Sequence, residues 1–407
     1  MANTIKTNYQ TELIALRAAE VAGYFTVGSK GYFAGQLVGK RNGQTYGFVL
    51  RDSGSAVNSL AKGSGETGTI TEREVRLQID PWHIYVQTNA IEGKTDLDFD
   101  REVAEPNGQK LVQGAIKKAV QGDVAKCSTC FIGDDFGVLS KAAAHLSSIT
   151  SEPLYGFVDP MIEALVTSKG AQFVPAQAPD MYKAGLIGHF HGADYRAQRF
   201  FKQLVIADGL EDAMEGATFA SFNSTTNKLT ITFGASATGS FTIKAGTPFF
   251  VEGLVACDTV GDVTAQSYAF VCKTDKAVSG SSASPVTSVE IEVDEVPVTG
   301  GTRVIANEDG TDVAWGSVST SAGVSCPAAG KYFEGIVRAN GAYEFETLDE
   351  IDVATVDSTK GSVGGVTVFT NKMLDIDNMT NDTRLDLFAL NGVVEKRACA
   401  LVLFKAA

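Results

Sequence analysis

The chain has 407 residues, of which 44% are hydrophobic and 20% charged, and its formal net charge at pH 7 is −14. These proportions predict a folded protein of two or three compact units. The negative charge argues against a nucleic-acid-binding protein of the usual kind, because neutralising phosphates requires clustered Lys and Arg.

Other bulk features indicate where the chain is made. The N-terminal stretch lacks a basic segment followed by an apolar core, so we expect no signal peptide. No run of about 18 apolar residues occurs, so we expect no membrane span. The six cysteines are dispersed, which predicts free thiols in a reducing compartment.

Charge is distributed unevenly along the chain. Residues 1–41 carry five basic against two acidic side chains, whereas residues 289–313 carry seven acidic side chains against Arg303. Regions of opposite sign favour self-association, and solvated surface explains them about as well.

The N-terminal part predicts a helix and then a long hairpin. Residues 8–22 have an apolar side formed by Leu13, Leu16 and Val21, which we interpret as an arm that packs on another surface. Residues 44–52 and 71–80 alternate apolar and polar side chains, as paired strands do, around a polar tip. A two-stranded ribbon is not stable alone in water, so its apolar face must rest on another surface, for example a second subunit.

A long helix is predicted over residues 106–131. Val112, Ile116, Val120 and Val124 recur every fourth residue and form one apolar stripe. The pattern fits an ordinary core helix or a spine for separate sheets. A shorter helix is predicted at 138–146, a buried strand at 154–158, and a helix at 161–168 capped by Asp159-Pro160.

From about residue 217 short strands are separated by Gly, Ser, Thr and Asn, and no helix pattern occurs. Six such strands predict an antiparallel barrel or sandwich inserted at about 217–327. The final strand, 398–404, is apolar throughout and is therefore expected at the centre of a sheet.

Candidate chemical motifs have structural explanations that we favour. Cys127 and Cys130 have C-x-x-C spacing, but no second pair completes a zinc site, and small core residues explain them better. His189 and His191 share a strand face, but no third ligand lies at an obvious distance. The acidic loop around Asp377 lacks the ordered spacing of a calcium loop. With four histidines and no converging acids, we expect no enzyme and no cofactor.

The order of these parts resembles the major capsid protein of tailed double-stranded DNA bacteriophages, in particular the short-tailed-phage coat proteins that carry an insertion domain. Five stretches carry the resemblance: RNGQTYGFVLRD with TEREVRLQID, LDFDREVAEP, LYGFVDPMIEALV, FTIKAGTPFFVEGLV through TSVEIEVDEV, and NDTRLDLFALNGVVEKRACALVLF. The likeness covers nearly the whole chain.

The resemblance implies an α+β tailed-phage major capsid fold with an inserted all-β barrel. Its parts would be an N-terminal arm (1–40), an extended β-hairpin loop (41–80), a peripheral domain with the spine helix 106–131 (81–132), an apical domain (133–216 and 328–364), the insertion domain (217–327) and closing peripheral strands (365–407). Two features depart from the pattern: the arm is short, and the first hairpin of the insert, at 223–228, is short and lacks acids.

The resemblance also implies a function. Such a chain self-assembles into pentamers and hexamers of an icosahedral head that encloses DNA without sequence-specific binding. Its partners would be itself, a scaffolding protein, a portal protein and, in some cases, a decoration protein. It would be located in the virion, after assembly in the host cytoplasm, with no contact to a membrane.

We expect the subunit interface to involve the ribbon, with its apolar face docking on an adjacent subunit. The expected interface residues are Tyr46, Phe48, Arg51, Lys62, Glu72, Arg73, Leu77 and Ile79. Some relatives crosslink a loop lysine to an asparagine near the C-terminus; Lys62 and Asn391 have such positions, although the insertion-domain branch does not generally do this. The alternative is a secreted or surface β-rich binding module, with an enzyme third.

Overall fold

The computed structural model of the chain describes residues 2–29, 45–52, 71–89, 104–135, 137–162, 164, 188–190, 192–299, 303–348, 357–375 and 380–406. These residues form a mixed α and β structure in which strands predominate. The helices are α1 (Ala2–Val21), α2 (Gly23–Thr26), α3 (Glu105–Val124), α4 (Gly137–Ile149) and α5 (Asp208–Met214).

The strands number 22 in the described residues. They are β1 (Thr45–Asp52), β2 (Thr71–Asn89), β3 (Thr129–Gly133), β4 (Leu154–Val158), β5 (Gly188–Phe190), β6 (Ala193–Ala197), β7 (Gln203–Ile206), β8 (Thr218–Asn223), β9 (Lys228–Ala237), β10 (Ser240–Ile243), β11 (Pro248–Cys257), β12 (Val263–Val271), β13 (Lys276–Ser279), β14 (Val286–Glu292), β15 (Ile305–Asn307), β16 (Val324–Ser325), β17 (Gly330–Ala339), β18 (Tyr343–Thr347), β19 (Asp357–Val363), β20 (Val366–Asp375), β21 (Thr380–Val393) and β22 (Cys399–Lys405).

The chain divides into two compact units. Unit 1 comprises Met1–Phe48, Arg76–Val120 and Tyr343–Val394, and unit 2 comprises Val49–Val75, Gln121–Ala342 and Glu395–Ala407. This division is coarser than the seven predicted segments, whose boundaries remain a prediction.

Unit 1 contains a six-stranded sheet in the order β1-β2-β21-β20-β19, with β18 pairing with β21. Thr359, Thr370, Leu385 and Ile84 are successive cross-strand partners and therefore share one face of the sheet. Helix α1 packs on this face, where the Thr11 and Thr359 hydroxyls lie 2.6 Å apart. The same face carries Trp82, whose ring contacts Gly114 of α3. Both helices therefore cover one side of the sheet.

The N-terminal helix starts earlier than predicted and packs on a sheet. It begins at Ala2 rather than near residue 8, and the surface on which it packs is formed by strands β19 and β20 of its own chain. Its buried side consists of Ile14, Ala15 and Ala18, whereas Leu16 is exposed. The side of α1 that carries Ala15 and Ala18 faces the sheet, because small side chains allow a helix to approach a sheet more closely than a stripe of leucines does.

Helix α3 is shorter than predicted. It ends at Val124 rather than near residue 131, and a turn closed by the Lys126 N–H on the Asp123 carbonyl follows it. Thr129–Gly133 is instead a strand that pairs in parallel with β22. The helix length is therefore about 30 Å at about 1.5 Å per residue. The valine and isoleucine stripe is buried as predicted.

Unit 2 contains a seven-stranded sheet in the order β3-β22-β17-β4-β6-β5, with β7 pairing with β17. The prediction that the last strand is central is confirmed, because β22 lies between β3 and β17 and six of its seven residues are buried. Helix α4 covers part of this unit, and the Tyr195 hydroxyl donates to the Leu139 carbonyl on that helix. After β4, the Met161 N–H donates to the Asp159 carboxylate, as the predicted cap requires.

All six strands predicted for the insert are present, but they do not form one barrel. They belong to three separate sheets with the orders β14-β9-β8, β12-β11-β15 with β16 on β11, and β10-β13. Phe222 of β8, Phe270 of β12 and Trp315 pack together, with ring centroids 4.3–6.3 Å apart. The first two sheets thus share an aromatic core, and the sandwich alternative describes the insert better than the barrel.

Candidate interaction surfaces

The ribbon formed by β1 and β2 leaves the sheet from which it starts. Strand β2 pairs with β21 from Ile79 to Asn89, and its first eight residues have no partner on β21. At about 3.3 Å per residue these eight residues span about 26 Å. In the described part of the chain, β1 is the neighbour of β2 on the ribbon side. Leu77, near the end of this segment, is covered by the chain itself, and a two-stranded segment beyond it gains stability from a further surface to pack on.

The predicted interface residues occupy several parts of the ribbon. Tyr46, Phe48 and Arg51 lie on β1, and Glu72 and Arg73 lie on β2. Their side chains, and the whole of Lys62 at the tip, lie outside the part of the chain for which side chains are described.

Two of the predicted interface residues are buried within the chain itself. Leu77 is 4% exposed and Ile79 is not exposed at all, and Ile79 is the strand partner of Leu390. An interface built on the ribbon would therefore use its other residues, since a side chain already in the chain's core is not available to a neighbour. The alternation of apolar and polar residues along β2 did not indicate that Leu77 and Ile79 are covered by the same chain.

The sheet face opposite α1 and α3 carries an exposed aromatic side chain beside a fixed ion pair. Tyr85 is 67% exposed, and its cross-strand partner Arg384 lies with its guanidinium 5.9 Å from the ring centroid. The buried Asp386 carboxylate accepts hydrogen bonds from Arg384 Nε and Asn371 Nδ2, both at 2.7 Å. An exposed tyrosine beside an arginine that an ion pair holds in place is typical of protein interfaces. Sequence reasoning missed this surface because its members lie on three strands.

Unit 2 buries several charged side chains around β17 and β22. The Glu334 carboxylate accepts a hydrogen bond from the Lys202 backbone N–H, and burial, reinforced by the nearby Asp159 carboxylate, raises the pKa of Glu334 to about 8. Burial likewise raises the pKa of Asp159. Arg397 donates from two nitrogens to the two carboxylate oxygens of Glu395, each at 2.8 Å. Glu334 and Arg397 are 5% and 1% exposed and therefore lie in the interior of unit 2.

The cysteine motif has a structural role. Cys127 is buried, its thiol donates to the Asp123 carbonyl, and Cys130 lies in β3. Burial raises the pKa of both thiols, so neither is a thiolate near neutral pH.

Only one of the two histidines of the predicted motif lies among the described residues. His189 is exposed and contacts the Asp194 carboxylate at 2.9 Å, a carboxylate that the sequence spacing did not reveal, whereas His191 lies outside the described residues. Of the acidic loop, Asp377 is also outside them. Among the described residues, no group of three or more His, Cys, Asp or Glu side chains is arranged to hold a metal ion.

A cleft in unit 2 with a volume of about 830 Å³ lies between α5, β11 and β16. Four carboxylates line it, but Glu211 accepts from the Ala329 N–H and Glu252 from the Gly323 N–H. Two of the acids therefore bind backbone N–H groups, one in the loop before β17 and one directly before β16.

No helix in the described part of the chain is both long enough and apolar enough to span a membrane.

Comparison with known proteins gave structural neighbours only. No family model matches the chain, and no curated protein matches it. Among solved structures, the capsid of Ralstonia phage GP4 is 8% identical, with 93% of this chain and 92% of that chain covered and a TM-score of 0.46. The capsid structure of the cyanophage P-SCSP1u is 9% identical, with 91% and 86% covered and a TM-score of 0.42. A virus-like particle from Pyrococcus furiosus is 8% identical, with 97% and 99% covered and a TM-score of 0.37. Because these TM-scores lie below 0.5, the function proposed for this chain rests on its own residues.

Proposed function

We propose that this chain is a shell-forming structural protein, the major capsid protein of a tailed double-stranded DNA phage, which assembles into pentamers and hexamers of an icosahedral head. The observation that carries the proposal is the ribbon of β1 and β2, which continues for eight residues past the end of its pairing with β21. A ribbon of this kind gains stability on the surface of another subunit.

The arrangement of the remaining parts supports the same function. Helix α3 is a 20-residue rod beside a sheet whose strands come from distant parts of the sequence, and α1 packs against both. The insert is joined to β17 through short β16 and the segment that follows it. A ribbon that docks on a neighbouring copy makes a head-to-tail contact, and head-to-tail contacts close into rings when the rotation between copies allows it.

The charge of the chain is compatible with enclosing DNA without binding it tightly. At a formal net charge of −14, the subunit repels a polyanion, and a shell needs only to contain the DNA and to let it enter and leave. A scaffolding protein and a portal protein would be its assembly partners under this proposal, and a decoration protein could bind the finished shell. The finished shell would be part of the virion, formed in the host cytoplasm.

Deleting Gly54–Gly68 at the ribbon tip tests the proposal. We expect the purified full-length chain to give closed shells, or five- and six-membered rings, by negative-stain electron microscopy and sedimentation velocity. The deletion variant should keep the far-ultraviolet circular dichroism of the parent and lose the closed shells. A variant in which the same residues are replaced by an equal number of Gly and Ser residues separates the effect of tip length from that of tip sequence.

Two results would contradict the proposal. Normal closed shells from the deletion variant would remove the ribbon as the assembly contact. A full-length chain that remains a dimer or tetramer at all protein and salt concentrations would favour a β-rich binding module instead.

A further inference from the structure

Five basic side chains gather at one end of the unit-2 sheet, and we call them the basic patch: Arg196, Arg199, Lys202, Lys331 and Lys405. The first three lie within seven residues of each other, and no Asp or Glu occurs between Tyr195 and Ala207. Arg196, Arg199, Lys202 and Lys331 are exposed, and Lys405 is half-buried. This concentration contrasts with the acidic character of the whole chain.

Strand pairing brings the members of the patch together. Lys331 is the cross-strand partner of Val205 on β7, and Lys202 directly precedes that strand. On the other side of β17, Lys405 is the partner of Tyr332. The Lys202 backbone N–H also donates to the carboxylate of Glu334 on β17. Lys202, Lys331 and Lys405 thus lie near the start of β17, with Lys405 on the sheet face of Tyr332 and Lys331 on the opposite face. Arg196 lies further along the sheet, because its partner Phe157 pairs with Ile336.

The cations of the patch form no close ion pair in the described part of the chain. None of the five forms an ion pair within 4.0 Å among the residues that the structure describes, whereas Lys228, Lys244 and Lys273 each do. Arg199 lies over the Phe200 ring at 5.0 Å, and Lys405 lies 6.0 Å from the centre of the Tyr332 ring. Asp194, the nearest acid along β6, contacts His189 instead. The pKa of Asp275 is lowered by hydrogen bonds from the Ala245 N–H and Lys244 and, to a smaller extent, by the charge of Lys202. The positive charge of the patch is therefore compensated only in part within the chain.

A complementary surface exists on the same chain, and we call it the acidic tip: Asp262, Glu308, Asp309 and Asp312. All four side chains are exposed. Arg303 joins the two loops that carry them, because its guanidinium donates to the Gly261 carbonyl at 2.7 Å, the Gly310 carbonyl at 2.8 Å and the Asp312 carboxylate at 3.0 Å. Arg303 thus binds one of the four carboxylates directly and holds the two loops that carry the others. Asp262 and Glu308 have no ion-pair partner among the described residues.

We propose that the basic patch of one subunit binds the acidic tip of a second copy during shell assembly. No ion pair joins the patch to the tip within one described chain, so both remain available to a neighbour. Because the two surfaces are different parts of the subunit, the contact is head-to-tail, and head-to-tail contacts generate closed rings or open chains rather than twofold dimers. This inference rests on the proposed shell function and adds to it a second contact that does not involve the ribbon.

Charge complementarity favours a second copy over nucleic acid as the occupant of the patch. A duplex would have to approach a subunit that carries 48 acidic against 34 basic side chains, and long-range repulsion opposes that encounter. A copy of the same chain can instead turn its own acidic tip towards the patch. Contacts of this type mainly raise the association rate and are weakened by salt.

Charge reversal with rescue tests the contact. The patch variant is Arg199→Glu with Lys202→Glu, and the tip variant is Asp262→Lys with Glu308→Lys. The control is Lys141→Glu with Lys276→Glu, which makes the same change in net charge as the patch variant at exposed lysines outside the patch. Assembly rate is followed by light scattering at low and high salt, with electron microscopy of the products.

We expect the patch variant and the tip variant each to assemble at least about tenfold more slowly than the parent at low salt. The control variant should assemble within about twofold of the parent rate, because its charge changes lie outside the proposed contact and do not alter the local attraction between patch and tip. The quadruple variant that combines patch and tip reversals should recover the rate, because every head-to-tail contact then regains opposite charges.

Several results would overturn the inference. Parental rates in both reversed variants, with normal parental shells, would remove this contact and leave the shell function intact. A patch variant that loses binding to random-sequence duplex DNA in a mobility-shift assay, while the tip variant assembles normally, would assign the patch to nucleic acid. A parent chain that never forms shells would remove the shell function and this contact together.

Discussion

The three glycines of α3 give a sharp test of how α1 packs, because the same substitution has a different environment at each position. A Cβ added at Gly108 would lie 2.6 Å from the Ile14 carbonyl oxygen of α1, whereas one at Gly114 would lie 3.6 Å from the Trp82 ring. A Cβ at Gly122 would have no neighbour within 4 Å. Glycine to alanine in a helix interior is otherwise favourable by about 0.5–1 kcal/mol.

The expected signs differ accordingly. Gly122→Ala should stabilise the chain by about 0.5 kcal/mol, since it gains helix propensity without a clash and lies in the last turn. Gly108→Ala should destabilise it by about 1 kcal/mol, because separating two helix backbones costs about 1–3 kcal/mol and the propensity gain offsets only part of this. Gly114→Ala meets ordinary van der Waals contact and should lie between the two.

Urea unfolding followed by circular dichroism at 222 nm measures these differences, and hydrogen exchange of the α1 amides locates them. Gly361→Ala offers an independent check, because its Cβ would lie 2.5 Å from the Thr11 carbonyl oxygen on the same helix. If Gly108→Ala were as stabilising as Gly122→Ala, the close approach of α1 to α3 would be refuted.

Two further predictions concern buried charge in unit 2. Since the pKa of Glu334 is raised to about 8 from a normal value of 4.5, the folded state binds more protons than the unfolded state between these pH values, and stability should fall as pH rises through this window. Glu334→Gln should therefore reduce this slope and exceed the parent in stability above pH 8 by up to a few kcal/mol, as urea titrations at pH 5 and pH 9 would show; an unchanged slope would contradict the assignment. Arg397→Met should cost about 3 kcal/mol because it leaves the Glu395 side chain, 15% exposed, without its bidentate partner. The adjacent Lys396→Met should be nearly neutral, because its partner Glu295 is 59% exposed and remains hydrated; equal losses in the two variants would contradict this reasoning.

Local patterning determined most of the secondary structure in advance. The apolar repeat of α3, the alternation of the ribbon strands, the six strands of the insert and the all-apolar β22 each follow from side-chain periodicity within a few residues. The central position of β22 also followed, because a strand buried on both faces cannot lie where water reaches it. Such features depend on residues that are close together in the sequence, and they can therefore be predicted from it.

Contacts between distant segments were decided only in the folded chain. The end of α3 at Val124 depends on the pairing of β3 with β22, some 270 residues later. The buried side of α1 depends on the close approach of Gly108 and Gly361. The buried Ile79 is the strand partner of Leu390 on β21, more than 300 residues later in the chain.

The two candidate interaction surfaces illustrate the same limit. The three cations between Tyr195 and Ala207 are visible in the sequence, but their association with Lys331 and Lys405 is created by the pairing of β7 and β22 with β17. Likewise, Tyr85, Arg384 and Asn371 meet only through the register of three strands. Sequence periodicity specifies which face of an element is apolar, whereas the register between elements specifies which polar groups share a surface.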